Sequence, residues 1–305
     1  MGTIGFIGLG NMGLPMARNL VAAGHVVRGF DTTAQALDEA RPAGIVTCRS
    51  IADCVADTEL AITTLPDGSI ALDVLEGILA ARGERALVVD CSTIDIADAR
   101  RAHALADAAG GAYVDAPVSG GVGGAAAGTL TVMAGGTDAA IERAGEALAA
   151  MAGRVVRCGG AGAGQAAKLC NNLLLAISMI GTGEAFSLGE KLGLDPATLF
   201  DVLSTSTGAC WPVNHYCPVP GVGPTSPADD AFRPGFPARL MLKDMRLTQS
   251  AADSVGQATP LGGRAAALYR AFVEAGNGER DFSAVIEHLA VAARETAPEG
   301  GAEPR

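Results

Sequence analysis

The stretch Thr3-Ile4-Gly5-Phe6-Ile7-Gly8-Leu9-Gly10-Asn11-Met12-Gly13-Leu14 decides how the first half of the chain is read. A short apolar strand runs into glycines at positions 8, 10 and 13, and an apolar helical pattern over 14–23 follows at once. Among 41 glycines this spacing recurs by chance, so its setting carries the weight. The strand precedes it, the helix follows, and a second strand, 26–31, ends in Asp31 about twenty residues on, as a dinucleotide-binding turn requires. Gly8 permits the tight turn, Gly10 lets a pyrophosphate approach the backbone, and Gly13 lets helix and strand pack closely. With Leu9, Asn11 and Met12 these glycines form the expected cofactor-binding loop, the helix N-terminus supplying amide donors. Asp31 suits the adenosine ribose hydroxyls and repels a 2′-phosphate. No arginine follows it in Asp31-Thr32-Thr33, and Arg28 is expected on the opposite side of the strand. The expected cofactor is therefore NAD rather than NADP.

Working outward, strand-like runs at 4–8, 26–31, 60–64, 87–90, 113–116 and 129–134 alternate with helical patterns at 14–23, 70–80 and 96–109. Parallel neighbours need a crossover helix, so this alternation predicts a parallel, doubly wound α/β sheet. After Val155 and Val156 a Gly/Ala-rich break at 158–164 leads into a pattern that is helical almost to the end. Residues 165–192 predict one helix of roughly 40 Å, and 196–203, 236–255, 261–275 and 282–292 predict others. Between them, 212–237 is rich in Pro and Gly and reads as a long irregular loop, a length usually kept for function. The expected organisation is a Rossmann-type domain over 1–163, an all-helical domain over 164–295 and a flexible tail over 296–305.

Composition narrows the function. The chain has 305 residues, 49% of them hydrophobic, which suits globular domains. With 22 Lys and Arg against 33 Asp and Glu, the net charge of −11 opposes binding to a phosphate backbone. Seven cysteines lie scattered without CxxC spacing and read as reduced thiols, and the four histidines pair with no cysteine or carboxylate at ligand spacing. No protein-built metal site is expected. Met1 leads straight into the first strand without a basic leader, and the apolar run 173–180 is too short to cross a bilayer. The expectation is a cytoplasmic protein without signal peptide or membrane span.

Two further motifs carry chemistry. Asp115-Ala116-Pro117-Val118-Ser119-Gly120-Gly121 follows a strand, and a turn of Ser119, Gly120 and Gly121 exposes amides and a hydroxyl. Such a turn suits a carboxylate or is simply a Gly-rich corner. Ser119 lacks the G-x-S-x-G frame of a hydrolase nucleophile. Lys168 and Asn172 lie four apart early on the long helix, hence on one face. On residue type alone Lys168 is either a solvated surface lysine or a proton-transfer group.

On these residues the chain resembles the β-hydroxyacid dehydrogenases from about Thr3 to Leu289. The resemblance rests on the turn at Gly5 to Gly13, on the run Asp115 to Val122, and on Lys168-Leu169-Cys170-Asn171-Asn172-Leu173-Leu174-Leu175. It implies oxidation of a small β-hydroxy acid, 3-hydroxyisobutyrate going to methylmalonate semialdehyde in valine catabolism, with hydride passing to NAD. Tartronate or succinic semialdehyde, 3-hydroxypropionate and L-serine are the alternatives. It also implies that Lys168 moves the hydroxyl proton, which requires a lowered pKa through partial burial. Asn172 then orients the substrate, and Ser119, Gly120 and Gly121 hold its carboxylate. Leu65, Pro66, Thr93 and Lys243 fall at cofactor contacts, and Trp211 with Phe236 lines the substrate region. The chain departs from the family at Cys217-Pro218, where Asn-Pro is expected, and over 224–237, both in the loop that selects substrate. The family implies a homodimer or homotetramer. An imine reductase usually lacks lysine at this position, and a non-catalytic nucleotide-binding module is opposed by the acidic charge and the Lys168/Asn172 pair.

Overall fold

The predicted alternation is realised as one nine-stranded sheet. The computed structural model describes residues 1–289, so the predicted tail at 296–305 and the end of the 282–292 helix lie outside the described residues. The strands are β1 Thr3–Ile7, β2 Val26–Phe30, β3 Val46–Thr47, β4 Leu60–Thr63, β5 Leu87–Asp90, β6 Ala112–Asp115, β7 Val118–Ser119, β8 Leu130–Gly135 and β9 Ala152–Gly159. Across the sheet the order is β3-β2-β1-β4-β5-β6-β8-β7, with β9 beside β8. β1 to β6 pair in parallel. The order reverses between β1 and β4, and ligands of such sheets bind beyond the carboxyl ends of the strands at that point.

Helices cover both faces, which is why these strands read as near-continuous apolar runs. Ile4, Phe6, Ile62 and Val89 pack on one side with Met16 and Leu20 of the helix Gly13–Ala22. Ile7, Ala61 and Val88 pack on the other with Leu75 and Ile78 of the helix Gly68–Arg82.

The sheet departs from the purely parallel expectation at its far end, where β8 runs antiparallel to β6 and to β7. Only Ala116 and Pro117 separate β6 from β7, and the short helix Gly121–Ala127 turns the chain back. That length is too little for a crossover of a dozen residues or more. β3 and β7 are two residues each, too short to show periodicity. β9 is largely exposed, so it lacks the apolar alternation that marks a strand, and its end falls in the predicted break at 158–164.

The chain divides into two compact units, residues 1–170 and the residues from Asn171 onward. The division falls inside the long helix Ala163–Lys191 rather than ahead of it, because the first turns of that helix are fastened to the sheet by the bonds described below. The helix is long and apolar enough to cross a bilayer by length and composition. Its Ala176, Met179 and Ile180, however, are buried in the core of the second unit. There they meet Met241, Leu242 and Met245 of the helix Ala238–Ser254 and Tyr269 and Phe272 of the helix Pro260–Phe272.

The 212–237 segment is more ordered than its composition suggests. The helix Trp211–His215 and a 3-10 turn, Pro227–Asp230, with a capping box from Ser226, break it up. Its anchor is Asp281, a fully buried carboxylate. One oxygen accepts from the Tyr216 hydroxyl at 2.9 Å and from the Gly235 and Phe236 amides at 3.0 Å each. The other accepts from the Ser283 amide at 3.0 Å and hydroxyl at 2.6 Å. These donors lose their acceptor together if the carboxylate is removed. Asp281→Ala should therefore cost about 3 kcal/mol or more, since each buried unsatisfied group costs about 1–3 kcal/mol. A urea or thermal unfolding midpoint equal to that of the unsubstituted protein would refute this.

Candidate active site

The Gly-rich turn caps the carboxyl end of β1 with the backbone its sequence calls for. Gly8 has φ +92°, and a Cβ there would overlap the Thr64 carbonyl oxygen at the end of β4. A Cβ on Gly13 would run into the Gly8 carbonyl oxygen, whereas one on Gly10 would meet nothing within 4 Å. Crowding on two sides and open space on the third is the shape of a cradle that keeps room for a pyrophosphate. The helix Gly13–Ala22 starts at Met12 without a side-chain cap; the Leu14 amide is bonded to the Gly10 carbonyl and Pro15 has no N–H, so the amides offered to an anion lie ahead of Leu14. The residues fit a dinucleotide.

Asp31 sits beside this turn and braces it. Its Oδ2 accepts from the Leu9 amide at 2.8 Å, and its Oδ1 accepts from the Thr33 amide and hydroxyl at 2.8 and 2.9 Å. A carboxylate has about four acceptor sites, so these three bonds leave capacity for a ribose hydroxyl. Arg28 is tied elsewhere, to the Asp53 carbonyl at 2.8 Å and carboxylate at 2.7 Å.

The ends of β4, β5 and β6 carry a buried polar network that sequence reasoning did not assemble. Asp90 accepts from the Thr63 hydroxyl at 2.8 Å, the Ser92 amide at 3.0 Å and the Tyr113 phenol at 2.7 Å. Burial, with the Asp90 carboxylate beside it, pushes the Tyr113 phenol well above its usual range, so it remains a donor. Asp115, fully buried, accepts from the Gly162 and Gln165 amides at 3.0 Å each, at the start of the long helix. His103 Nε2 bonds the same carboxylate at 2.7 Å. The histidines' scatter in sequence hid this pairing, because the helix Ile96–Ala108 and β6 bring the two together.

Lys168 follows one turn later. It is 8% exposed, and its ammonium donates to the Val118 carbonyl at 2.7 Å. It is therefore not the solvated surface lysine that residue type alone allows. Ser119, Gly120 and Gly121 come next in the chain, and φ of +135° at Gly120 demands glycine while +63° at Gly121 favours it. Thr93 and Leu65 are adjacent to network members, the Leu65 amide donating to Ser92 Oγ at 2.7 Å. Pro66 lies beyond them at the surface.

In the second unit, Asn172 is 1% exposed and its amide donates to Asp244 Oδ2 at 2.6 Å, while its oxygen accepts from Asn171 at 2.9 Å. Its visible task is to hold Asp244, a residue that sequence reading passed over beside Lys243. Lys243 Nζ lies 3.6 Å from Asp244 Oδ1. Trp211 stacks on Tyr216 with ring centroids 4.9 Å apart, Tyr216 on Phe282 at 5.5 Å, and Phe236 meets Phe282 edge-on at 5.7 Å. The two aromatic residues singled out in sequence thus belong to one cluster, joined by two that were not. A cavity of about 570 Å³ lined by His103, Asp107, Tyr113, Asp138 and Arg157 contains none of the predicted site residues. All seven cysteines are free thiols. Among the described residues no three His, Cys, Asp or Glu side chains group as metal ligands.

Comparison with known proteins identifies the family. Residues 3–160 match the NAD binding domain of 6-phosphogluconate dehydrogenase. Residues 162–289 match the family described as NAD-binding of NADP-dependent 3-hydroxyisobutyrate dehydrogenase. The chain is 50% identical to the probable 3-hydroxyisobutyrate dehydrogenase of Mycobacterium tuberculosis over 95% of its own length and 98% of the relative's. It is 45% identical to the NAD-dependent L-serine dehydrogenase of Pseudomonas aeruginosa over 93% of this chain and 97% of that one. The solved structure of Mycobacterium tuberculosis 3-hydroxyisobutyrate dehydrogenase with L-serine superimposes with a TM-score of 0.89. It is 50% identical, over 95% of this chain and 99% of that one.

The glycine contacts separate folding from cofactor binding. Gly8→Ala should lower the melting temperature, because it adds a backbone clash at a positive φ. Gly10→Val should leave the melt nearly unchanged and weaken NADH binding, read by fluorescence titration. Equal NADH affinity in Gly10→Val and the unsubstituted protein would remove the cradle from this turn.

Proposed function

The chain belongs to the 3-hydroxyisobutyrate dehydrogenase family of nicotinamide-dependent β-hydroxyacid dehydrogenases, and from that premise we propose that it oxidises 3-hydroxyisobutyrate to methylmalonate semialdehyde with Lys168 as the proton acceptor. The observation that carries this reading is the Lys168 ammonium bonded to the Val118 carbonyl, one residue before Ser119. It puts a buried amine beside a turn whose hydroxyl and glycine amides suit a carboxylate.

The roles divide by chemistry. Ser119, Gly120 and Gly121 bind the substrate carboxylate, which fixes the position of the hydroxyl carbon two bonds away. Lys168, as the neutral amine, accepts the hydroxyl proton on oxidation and returns it on reduction. A bound nicotinamide dinucleotide supplies the hydride acceptor. Asn172 keeps the Asp244 carboxylate in place, and its second N–H is the donor available to a substrate. Asp31 selects the unphosphorylated ribose through its charge.

L-serine is the second reading, favoured by the 45% identical serine dehydrogenase. The two substrates share the carboxylate and primary hydroxyl and differ at the α-carbon, methyl against ammonium. The 50% identical probable 3-hydroxyisobutyrate dehydrogenase supports the first reading.

Three measurements test this. Lys168→Ala should leave NADH binding near its unsubstituted value and lower kcat by about 10²–10⁴; near-normal turnover would refute the assignment. In a panel of β-hydroxy acids, 3-hydroxyisobutyrate should exceed L-serine in kcat/KM by roughly tenfold or more, and a reversed ranking would make the enzyme a serine dehydrogenase. Asp31→Asn keeps an acceptor for Leu9 but removes the charge, so its NADP-to-NAD ratio of kcat/KM should rise. An unchanged ratio would take that selection away from Asp31.

A further inference from the structure

Gln165 joins parts of the first unit that the proposed reaction must keep in register. It is fully buried and three residues before Lys168 on the long helix. Its carboxamide uses both ends: Oε1 accepts from the Ile94 amide at 3.1 Å, and Nε2 donates to the Ser92 carbonyl at 2.8 Å. Those two groups flank Thr93. Ser92 continues the link, since its hydroxyl accepts from the Leu65 amide at 2.7 Å. The Gln165 backbone amide meanwhile rests on Asp115 at 3.0 Å. One side chain therefore clamps the loop after β5, and through Ser92 the loop after β4, to the helical turn that carries Lys168.

We propose that Gln165 is a positioning residue, which sets the Thr93 loop at a fixed distance from the Lys168 amine. This rests on the reading of Lys168 as the proton acceptor and of Thr93 and Leu65 as cofactor contacts. The physical reason is the pairing of one donor with one acceptor in a site closed to water. A buried amide satisfied at both ends rigidifies what it joins, whereas one left half-satisfied costs more than an apolar replacement. Of the side chains of this size, only a carboxamide or a protonated carboxyl presents a donor and an acceptor side by side. Hydride transfer is sensitive to placement, and a shift of about 1 Å costs on the order of a hundredfold in rate.

That chemistry supplies the test. Gln165→Met keeps the length and removes both hydrogen bonds. Gln165→Glu reproduces them only while its carboxyl is protonated, because the ionised form cannot donate to the Ser92 carbonyl. On the full-length protein, kcat at saturating NAD and hydroxy acid, NADH affinity by fluorescence and thermal unfolding would be measured for both. For Gln165→Met, kcat should fall roughly ten- to a hundredfold, while NADH still binds and the protein melts in one cooperative step. For Gln165→Glu, the ratio of its kcat to that of the unsubstituted enzyme should rise as pH is lowered. Unchanged kcat in Gln165→Met would overturn the proposal. So would a pH-independent loss in Gln165→Glu that tracks a fall in melting temperature, the signature of a merely structural glutamine. Lys168→Ala measured alongside separates the two levels. Retained turnover there overturns the reading beneath, whereas an inactive Lys168→Ala with a fully active Gln165→Met overturns the positioning role alone.

Discussion

The long helix that carries Lys168 begins on a carboxylate closed to water. Asp115 accepts from the Gly162 and Gln165 amides and from His103, so its charge is matched on both oxygens. A buried carboxylate without such partners would carry a penalty of several kcal/mol. Here the helix N-terminus supplies two otherwise unpaired N–H groups and the positive end of its dipole, so each side removes the other's cost. The consequence is geometric. The first turns of the helix cannot drift from the end of β6, and Lys168 is delivered to the Val118 carbonyl, three residues beyond that strand's end.

The same logic repeats along the carboxyl edge of the sheet. Parallel strands end together there, so the loops after β1, β4, β5 and β6 are neighbours although far apart in sequence. Asp31 binds the Gly-rich turn, Asp90 binds Thr63 at the end of β4 and Tyr113 within β6, and Gln165 binds the loop after β5 to the helix. Each acid or amide has its capacity nearly filled by protein donors, which makes the edge rigid before any ligand arrives. Preorganisation of this kind is what lets a dehydrogenase hold two reactants at reacting distance.

In the second unit another acid plays the corresponding part. Asp281 gathers the Gly/Pro-rich segment by accepting from Tyr216, Gly235 and Phe236, and so sets the stacking of Trp211, Tyr216, Phe282 and Phe236. Cys217-Pro218 sits within this supported frame. Cys217 is buried, with its carbonyl accepting from the Ser226 hydroxyl at 2.6 Å.

Much of this was legible in the residues alone. The G-x-G-x-x-G turn, Asp31 and the alternation of apolar strands with Ala-rich helices are local patterns. They specified the Rossmann-type sheet, its cofactor edge and the long helix, because period and turn chemistry act over a few residues. Lys168 became more than a surface lysine only through the motif around it. The two-residue strands, the antiparallel β8 and the exposed β9 left no period to read. The pairings His103–Asp115, Gln165 with Ser92 and Ile94, Asn172–Asp244 and the Asp281 cluster join residues 12 to 73 apart in the chain. A hydrogen bond over that separation depends on which strand ends and helix turns the fold brings within about 3 Å. Local sequence determined the elements and their chemistry, and tertiary structure alone decided which buried donors and acceptors would meet.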